Sequence, residues 1–302
     1  MAASYESMFG GILADIDAEM RAARQQQVEV APLLWEMIDY HFGWGAGAIG
    51  PHSGASGKRI RPLLMALVAQ AITGNYRHVL PAAAALEFLH NFTLIHDDVM
   101  DRSRERRHRP TVWALWDSDQ AINAGDGLYA LANLAVTYLL RADVPGSEVV
   151  RAAQVLSQAC LWTAEGQVLD MSFAGRERVM TAEYLTMIAH KTGALIEAAT
   201  GKSATGDIRE KKKSYPVLVA FERAQAVDQE VLRRIYAQET LSDQDVADVL
   251  GILERCGAIA ETDRIASEYF ERALARLDAT GIANPTQDKL RQLAAFLIRR
   301  AY

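Results

Sequence analysis

The chain of 302 residues has two cysteines, eight prolines and 20 glycines, and 8% of its residues are aromatic. Cys160 and Cys256 lack the spacing of a thiolate metal site or a disulfide framework. That usage suits a reducing compartment, so a cytoplasmic location is expected. So little proline and glycine beside abundant alanine and leucine favours helix over strand. Long apolar runs are also missing. The uncharged stretch from Pro62 to Tyr76 contains Gln70, Thr73 and Asn75 and falls short of the roughly 20 apolar residues of a membrane span. The N-terminal residues meet Asp15 and Asp17 early, without the charged-then-apolar order of a secretory signal. No Val/Ile/Thr alternation, Asn-Gly hairpin or internal repeat stands out. Positive charge is the minority, 32 Lys and Arg against 38 Asp and Glu for a net of −6, which argues against general adhesion to nucleic acid.

What the chain has is apolar material, 50% of its residues, arranged mostly with a helical period. Leu63, Leu64, Leu67, Val68 and Ile72 make one stripe, closed by Gly74-Asn75. Pro81 opens the next segment at a first-turn position, and Leu86, Leu89, Phe92 and Ile95 run down it. Residues 127–140 and 152–164 carry no charge and read as helices buried on most sides. Thr181 reads as the cap of another helix, and Ser242 with Asp245 as a weaker capping signal before Val246, Val249, Leu250 and Leu253. Loops are expected at 44–57, 102–111, 143–147, 200–214 and 278–286. The expected fold is all-α, about ten helices in a single domain over residues 1–302.

Chemistry concentrates in His96-Asp97-Asp98-Val99-Met100-Asp101, at the end of an expected helix. Asp97 and Asp101 are four apart, so their carboxylates share a face. Like charges at that spacing destabilise a bare helix, and the macrodipole disfavours anions at a C-terminal end. The cluster is therefore either a solvated acidic helix end or a site neutralised by a cation. Carboxylates without cysteine suit a hard, oxygen-seeking ion, Mg²⁺ before Zn²⁺, of the kind held by one or two carboxylates plus substrate phosphate. Downstream follow Arg102, Arg104, Arg106, Arg107 and Arg109. Upstream, Gly54-Ala55-Ser56-Gly57 runs into Lys58, Arg59 and Arg61 at a helix start, where free backbone N–H groups and a positive helix end suit a phosphate. Lys191-Thr192-Gly193, Gly201-Lys202 and Lys211-Lys212-Lys213 add further cations. An acidic protein that gathers arginine forks beside its most acidic triplet fits a polyphosphate-plus-metal site. Taken alone, Gln167 reads as a solvent or interhelix hydrogen bonder, His90 as a core histidine, and Asp243, Asp245 and Asp248 as helix-start residues.

Together the blocks GKRIRP (57–62), HDDVMDRSRERRHRPT (96–111), EGQVLD (165–170), HKTG (190–193) and TGKSATGDIREKKKSYP (200–216) resemble the trans-isoprenyl diphosphate synthase family. The resemblance implies a helical bundle around a deep central cavity, the isoprenoid synthase fold, and a homodimer. It also implies condensation of an allylic prenyl diphosphate with isopentenyl diphosphate, dependent on several Mg²⁺ ions. Position by position, Asp97, Asp98 and Asp101 would hold the metal against the allylic diphosphate, with Arg106 beside them. Lys58, Arg61, His90 and Arg107 would hold isopentenyl diphosphate. Lys191, Lys202 and Lys212 would bind the allylic diphosphate, and Thr192 and Gln167 would line the reacting centre. Phe92, five residues before Asp97, resembles the chain-length position of geranylgeranyl (C20) synthases.

One block of the family is missing from the sequence. A second Asp-rich motif, FQxxDDxxD, is expected between the KTG and TGK blocks, yet Ala198-Ala199 runs straight into Thr200-Gly201-Lys202, and the chain holds no second Asp-Asp pair. Three accounts follow: a segment is missing between Ala199 and Thr200; the protein is a weak or inactive diphosphate-binding partner subunit; or it ionises a single diphosphate, as a terpene cyclase does. Lys202 and Lys212 keep family register after the break, which favours the first.

Overall fold

The computed structural model describes residues 5–44, 57–174, 176, 179–191, 214–238 and 240–298. The chain divides into two compact units, residues 1–158 with 284–290, and residues 159–283 with 291–302.

In the first unit, α1 (Tyr5–Gln25) buries Phe9, Ile12, Ile16 and Met20 at helical spacing. α2 (Pro32–Phe42) starts on a proline and ends at Gly43 with φ 71°, the left-handed position that glycine fills without cost. α3 (Ile60–Thr73) stops at Gly74 as expected, but its buried stripe is Leu63, Ala66, Leu67 and Ala71, while Val68 and Ile72 are exposed. α4 (Leu80–Met100) carries Pro81 in its first turn and buries Ala83, Ala84, Ala85, Phe88 and Leu89. Small side chains let its neighbours come close. After α5 (Val112–Trp116), α6 (Ser118–Thr137) packs on α4. The His96 ring fills the space above Gly125, where an added Cβ would lie 2.3 Å from the imidazole. α7 is Gly146–Ala174.

The second unit holds α8 (Thr181–Lys191), α9 (Tyr215–Arg223), α10 (Ala226–Ala237), α11 (Asp243–Arg255) and α12 (Ala258–Ala279), and α13 is Pro285–Ile298. Its core gathers Val217, Val219, Ala220, Leu232, Ile235, Val249, Ile252 and Leu253. A smaller cluster is Phe173, Val179, Met187 and Leu218. Ser242 and Asp245 form a full capping box, stronger than the sequence signal suggests. Thr181 is not a cap: it is the first helical residue, and its N–H donates to Glu222 Oε1 at 2.9 Å.

The all-α expectation holds, with thirteen α-helices among the described residues. Two details differ. The 102–111 loop contains a two-residue hairpin, Glu105–Arg106 against Arg109–Pro110, too short for any alternation to reveal. The uncharged stretches are only half buried: Tyr129, Leu134 and Leu140 of 127–140, and Val155, Leu161 and Trp162 of 152–164, are exposed. An uncharged helix need not be buried on every side, so these two keep an apolar outer face. The expected loops 44–57 and 200–214 fall almost wholly outside the described residues.

Candidate active site

The acidic cluster sits where α4 ends. Arg102 N–H donates to Val99 O at 3.2 Å and Ser103 N–H to Asp98 O at 2.9 Å, the two bonds of a Schellman cap. The left-handed position of that cap, normally glycine, is Arg102 at φ 53°. The chain then doubles back through the hairpin, whose two turn residues, Arg107 and His108, both have positive φ (55° and 60°). A type I′ turn requires that, and non-glycine residues adopt it at a cost of order 1–3 kcal/mol each. The strain is held by bracing. Ser103 O accepts from Thr111 Oγ1 at 2.9 Å and Trp113 Nε1 at 2.8 Å. From α2, the Tyr40 hydroxyl donates to Pro110 O at 2.9 Å, its carbonyl accepts from Arg109 Nη2 at 3.1 Å, and Arg109 stacks on its ring.

Doubling back places Arg106 on the acidic pair. Its Nε donates to Asp98 Oδ1 at 2.8 Å and its Nη2 to Asp97 Oδ2 at 3.4 Å. Asp98 is buried (3% exposed), so the arginine neutralises a charge that would otherwise be costly. Arg107, next in the turn, meets the GKRIRP block: a Cβ on Gly57 would lie 2.7 Å from both of its terminal nitrogens. Gly57 also has φ +68°, so glycine is required there twice over. Although Arg107 is exposed by area, desolvation of the packed guanidinium lowers its pKa, Glu87 and Asp98 raise it, and Arg106 and Arg59 lower it further. A small open hollow lies here, lined in part by Tyr40, His41, Asp98, Arg106, Arg107 and Arg109.

The other sequence-derived candidates are found in both units. Lys58 is exposed, and its carbonyl accepts from the Tyr5 hydroxyl at 2.6 Å. Arg61 and His90 are buried. Burial, followed by the charges of Arg61, Arg107 and Arg106, holds the His90 pKa well below its usual value. Phe92 is half-buried, its ring 4.8 Å from that of His96 and 5.4 Å from that of Tyr129. In the second unit, Gly166 of the EGQVLD block presses on α8, and a Cβ there would lie 2.1 Å from the Lys191 backbone nitrogen. That approach sets Lys191 beside α7, where its Nζ reaches Asp170 Oδ2 at 2.5 Å. Gln167 is half-buried on the same helix. Thr192, Lys202 and Lys212 lie outside the described residues.

Sequence reading passed over a buried polar chain beneath the hollow. Arg59 Nη1 donates to Glu87 Oε1 at 2.9 Å, Asn91 Nδ2 to the same oxygen at 3.0 Å, and His41 Nε2 faces Asn91 Oδ1 at 3.0 Å. A signal existed: Glu87, His90 and Asn91 are the polar residues of an otherwise apolar Ala/Leu stretch, spaced three and four apart on one helix face.

The fit of a metal can be judged from the donors. Asp97 and Asp101 stand one turn apart at the end of α4, and every side-chain donor offered is a carboxylate oxygen, as Mg²⁺ prefers. Among the described residues no three His, Cys, Asp or Glu side chains close on one point. An ion bridged to a substrate phosphate needs no such cage, because magnesium takes one or two carboxylates and fills its shell with water and phosphate oxygens.

Comparison with known proteins places the chain in a family. The sequence model of the polyprenyl synthetase family matches residues 48–200. A geranylgeranyl pyrophosphate synthase of Geoglobus acetivorans is 33% identical over 289 residues, covering 82% of this chain and 88% of that one. A (2E,6E)-farnesyl diphosphate synthase of Mycobacterium tuberculosis is 28% identical over 324 residues, covering 92% and 89%. The crystal structure of geranylgeranyl pyrophosphate synthetase from Pyrococcus horikoshii superposes with a TM-score of 0.82 at 26% identity, covering 97% of this chain and 98% of that one. The family match and these relatives identify an all-helical prenyl transferase. The chain belongs to the polyprenyl synthetase family.

Proposed function

We propose that the protein condenses an allylic prenyl diphosphate with isopentenyl diphosphate to a longer trans-prenyl diphosphate, geranylgeranyl (C20) by preference. The observation that carries this is the meeting of Arg107 with the Gly57 backbone, because it brings the phosphate-binding loop against the turn that follows the Asp-rich cluster. Lys58, Arg61, His90 and Arg107 would then grip isopentenyl diphosphate, and Arg106 with Lys191, Lys202 and Lys212 the allylic diphosphate. Asp97, Asp98 and Asp101 would hold Mg²⁺, which when bound supplies positive charge for the departing diphosphate. The cationic side chains stabilise the same developing charge, and holding the double bond of isopentenyl diphosphate near the allylic carbon supplies proximity. An apolar cavity would keep water from the carbocation. Relatives named for both C20 and C15 products are similar to this chain. The half-buried ring of Phe92, five residues before Asp97, favours C20.

The same reading includes one synthase domain with a missing segment between Ala199 and Thr200. Two findings support it. The family match stops at residue 200. An alignment of 289 positions that takes in 82% of 302 residues uses about 248 of them, so about 40 positions of the Geoglobus protein have no counterpart here. A segment of that size would add roughly 4–5 kDa to the mass calculated for this sequence, and intact-mass measurement of protein from the native gene checks it. We also infer a cytoplasmic homodimer. The exposed apolar faces of α6 (Ile122, Tyr129, Leu134) and α7 (Val155, Leu161, Trp162) would be covered by a second copy, and Cys160 and Cys256 are unpaired thiols. No described helix is long and apolar enough to cross a membrane.

One incubation tests the chemistry: purified protein, Mg²⁺ and farnesyl diphosphate, with and without isopentenyl diphosphate. Elongation only when both are present is expected, lost by about 10³-fold or more in Asp97→Ala, since a metal ligand supplies several kcal/mol of transition-state stabilisation. Hydrocarbon from farnesyl diphosphate alone would mark a cyclase instead. Diphosphate binding without turnover would mark a partner subunit, the reading that the absent second Asp-rich motif favours.

A further inference from the structure

Glu87 is a carboxylate with 4% of its surface exposed, ten residues before Asp97 on α4 and so about 15 Å up the helix from the acidic turn. A buried charge at that distance from the reacting end needs a reason, because it is retained only when paired and hydrogen-bonded. Its Oε1 accepts from Arg59 Nη1 at 2.9 Å and from Asn91 Nδ2 at 3.0 Å. The Asn91 amide also donates to Glu87 O at 2.7 Å. With its nitrogen so committed, Asn91 turns its oxygen to His41, and His41 Nε2 must be the donor across that 3.0 Å contact. The chain of bonds therefore has a single sense, ending on the carboxylate.

The other end of the ion pair is unusual. Arg59 is nearly buried, its guanidinium lies over the Phe42 ring, and a longer contact of 3.5 Å reaches Asp17 on α1. Its backbone is left-handed (φ 50°, ψ 35°), which arginine does not adopt without restraint. This residue stands between Lys58 and Arg61, at the first turn of α3, so its φ determines how those two cations leave the loop.

We propose that Glu87 is a positioning residue: through the buried pair with Arg59 it pins the left-handed turn between Lys58 and Arg61, and so presents those two side chains to the diphosphate of isopentenyl diphosphate. The proposal rests on the substrate assignment of the preceding section and adds a residue that touches neither substrate nor metal. Its effect is selective, because the pair holds the GKRIRP loop, and Arg107, which the Glu87 charge also reaches, is likewise assigned to isopentenyl diphosphate.

Steady-state kinetics and calorimetric binding on the full chain with Mg²⁺, farnesyl diphosphate and isopentenyl diphosphate test it. In Glu87→Gln, the KM and Kd for isopentenyl diphosphate should rise about tenfold or more, while KM for farnesyl diphosphate stays within about twofold and kcat within about threefold. Should that variant fold poorly, Arg59→Gly/Glu87→Gln leaves no buried charge unmatched and lets glycine take the positive φ freely. It lacks the pin as well, so the same selective rise is expected. An unchanged constant for isopentenyl diphosphate in the folded variant, or an equal rise for both substrates, overturns the proposal. Wild-type protein that binds neither diphosphate overturns the substrate assignment and this inference together, whereas wild-type binding with indifferent variants overturns the inference alone.

Discussion

Two regions of the molecule solve the same electrostatic problem at different depths. At the end of α4, carboxylates are held by Arg106, with the Asp98 side chain 4% and the Arg106 side chain 19% exposed. In the second unit, the cation Lys191 is held by Asp170, with 22% and 24% exposed. Both pairs match a carboxylate with a cation inside the protein. The difference is solvent: the first pair sits in a strained, braced turn where an orphaned charge has nowhere to go, while the second can hand its charges to water. The acid-rich end is thus part of the fold, and the lysine end is closer to a surface device.

Removing one partner from each pair breaks or sharpens that contrast. Arg106→Ala should destabilise the protein by about 3–5 kcal/mol, because the buried Asp98 carboxylate loses its arginine. Asp170→Ala should cost about 1 kcal/mol or less, since the half-solvated Lys191 rehydrates. Denaturant unfolding of the two variants measures both. Equal losses would mean that burial does not distinguish the regions and that the turn is not the rigid element described.

Acid gives a second, smaller separation. His41, half-buried at the wall of the hollow, has its pKa lowered to about 3, chiefly by desolvation, with Arg107, Arg106 and Arg59 adding to the effect and Asn91 opposing it. A base with a depressed folded pKa takes its proton only on unfolding, so stability contributed by neutral His41 is complete above about pH 6.5 and is lost as pH falls towards 3. The loss approaches roughly 1.4 kcal/mol per pH unit for one such histidine. In the second unit the perturbed carboxylates behave differently. Hydrogen bonds from Arg264 and Arg223 hold Glu261 at about 2, so its contribution disappears only below the usual carboxylate range, from about pH 4.5 towards 2. Unfolding free energies at pH 6.5 and 5 should therefore fall in the wild type and fall less in His41→Gln, by up to about 2 kcal/mol over that interval. Parallel slopes in both proteins would remove His41 from the account.

How much of this was legible in the sequence depends on the range of the interaction. Gly74, Pro81 and the Ser242–Asp245 pair act within one turn, and all three mark element ends as their local chemistry dictates. Asp97, Asp98 and the arginines were readable as a cluster because six to ten residues of chain hold them. The Arg59–Glu87–Asn91–His41 chain joins three helices across as many as 50 residues, and nothing local distinguishes Arg59 from its basic neighbours. The apolar outer faces of α6 and α7 escaped for a related reason: absence of charge is equally compatible with a core and with a face awaiting a partner, and periodicity does not separate the two. Left-handed Arg102 and Arg107 were unreadable as well, since strain is visible only in dihedral angles.

Phe92 is where the two kinds of information meet, and it gives the smallest effect. The sequence places it five residues, about 7.5 Å along a helix, before Asp97. The structure adds that its ring packs edge-on to His96 and tilted against Tyr129 of α6. Two outcomes separate a chain-length stop from packing alone. If the ring blocks the growing prenyl chain, Phe92→Ala should shift product towards lengths above C20 with a change in total turnover of only a few-fold, read by a radiolabelled chain-length assay. If it serves only as packing, the variant should lose about 1–3 kcal/mol of stability, as a half-buried ring leaving a void does, with product length unchanged. A longer product together with that modest loss is the expected result, because a ring braced by His96 and Tyr129 is stiff enough to act as a wall.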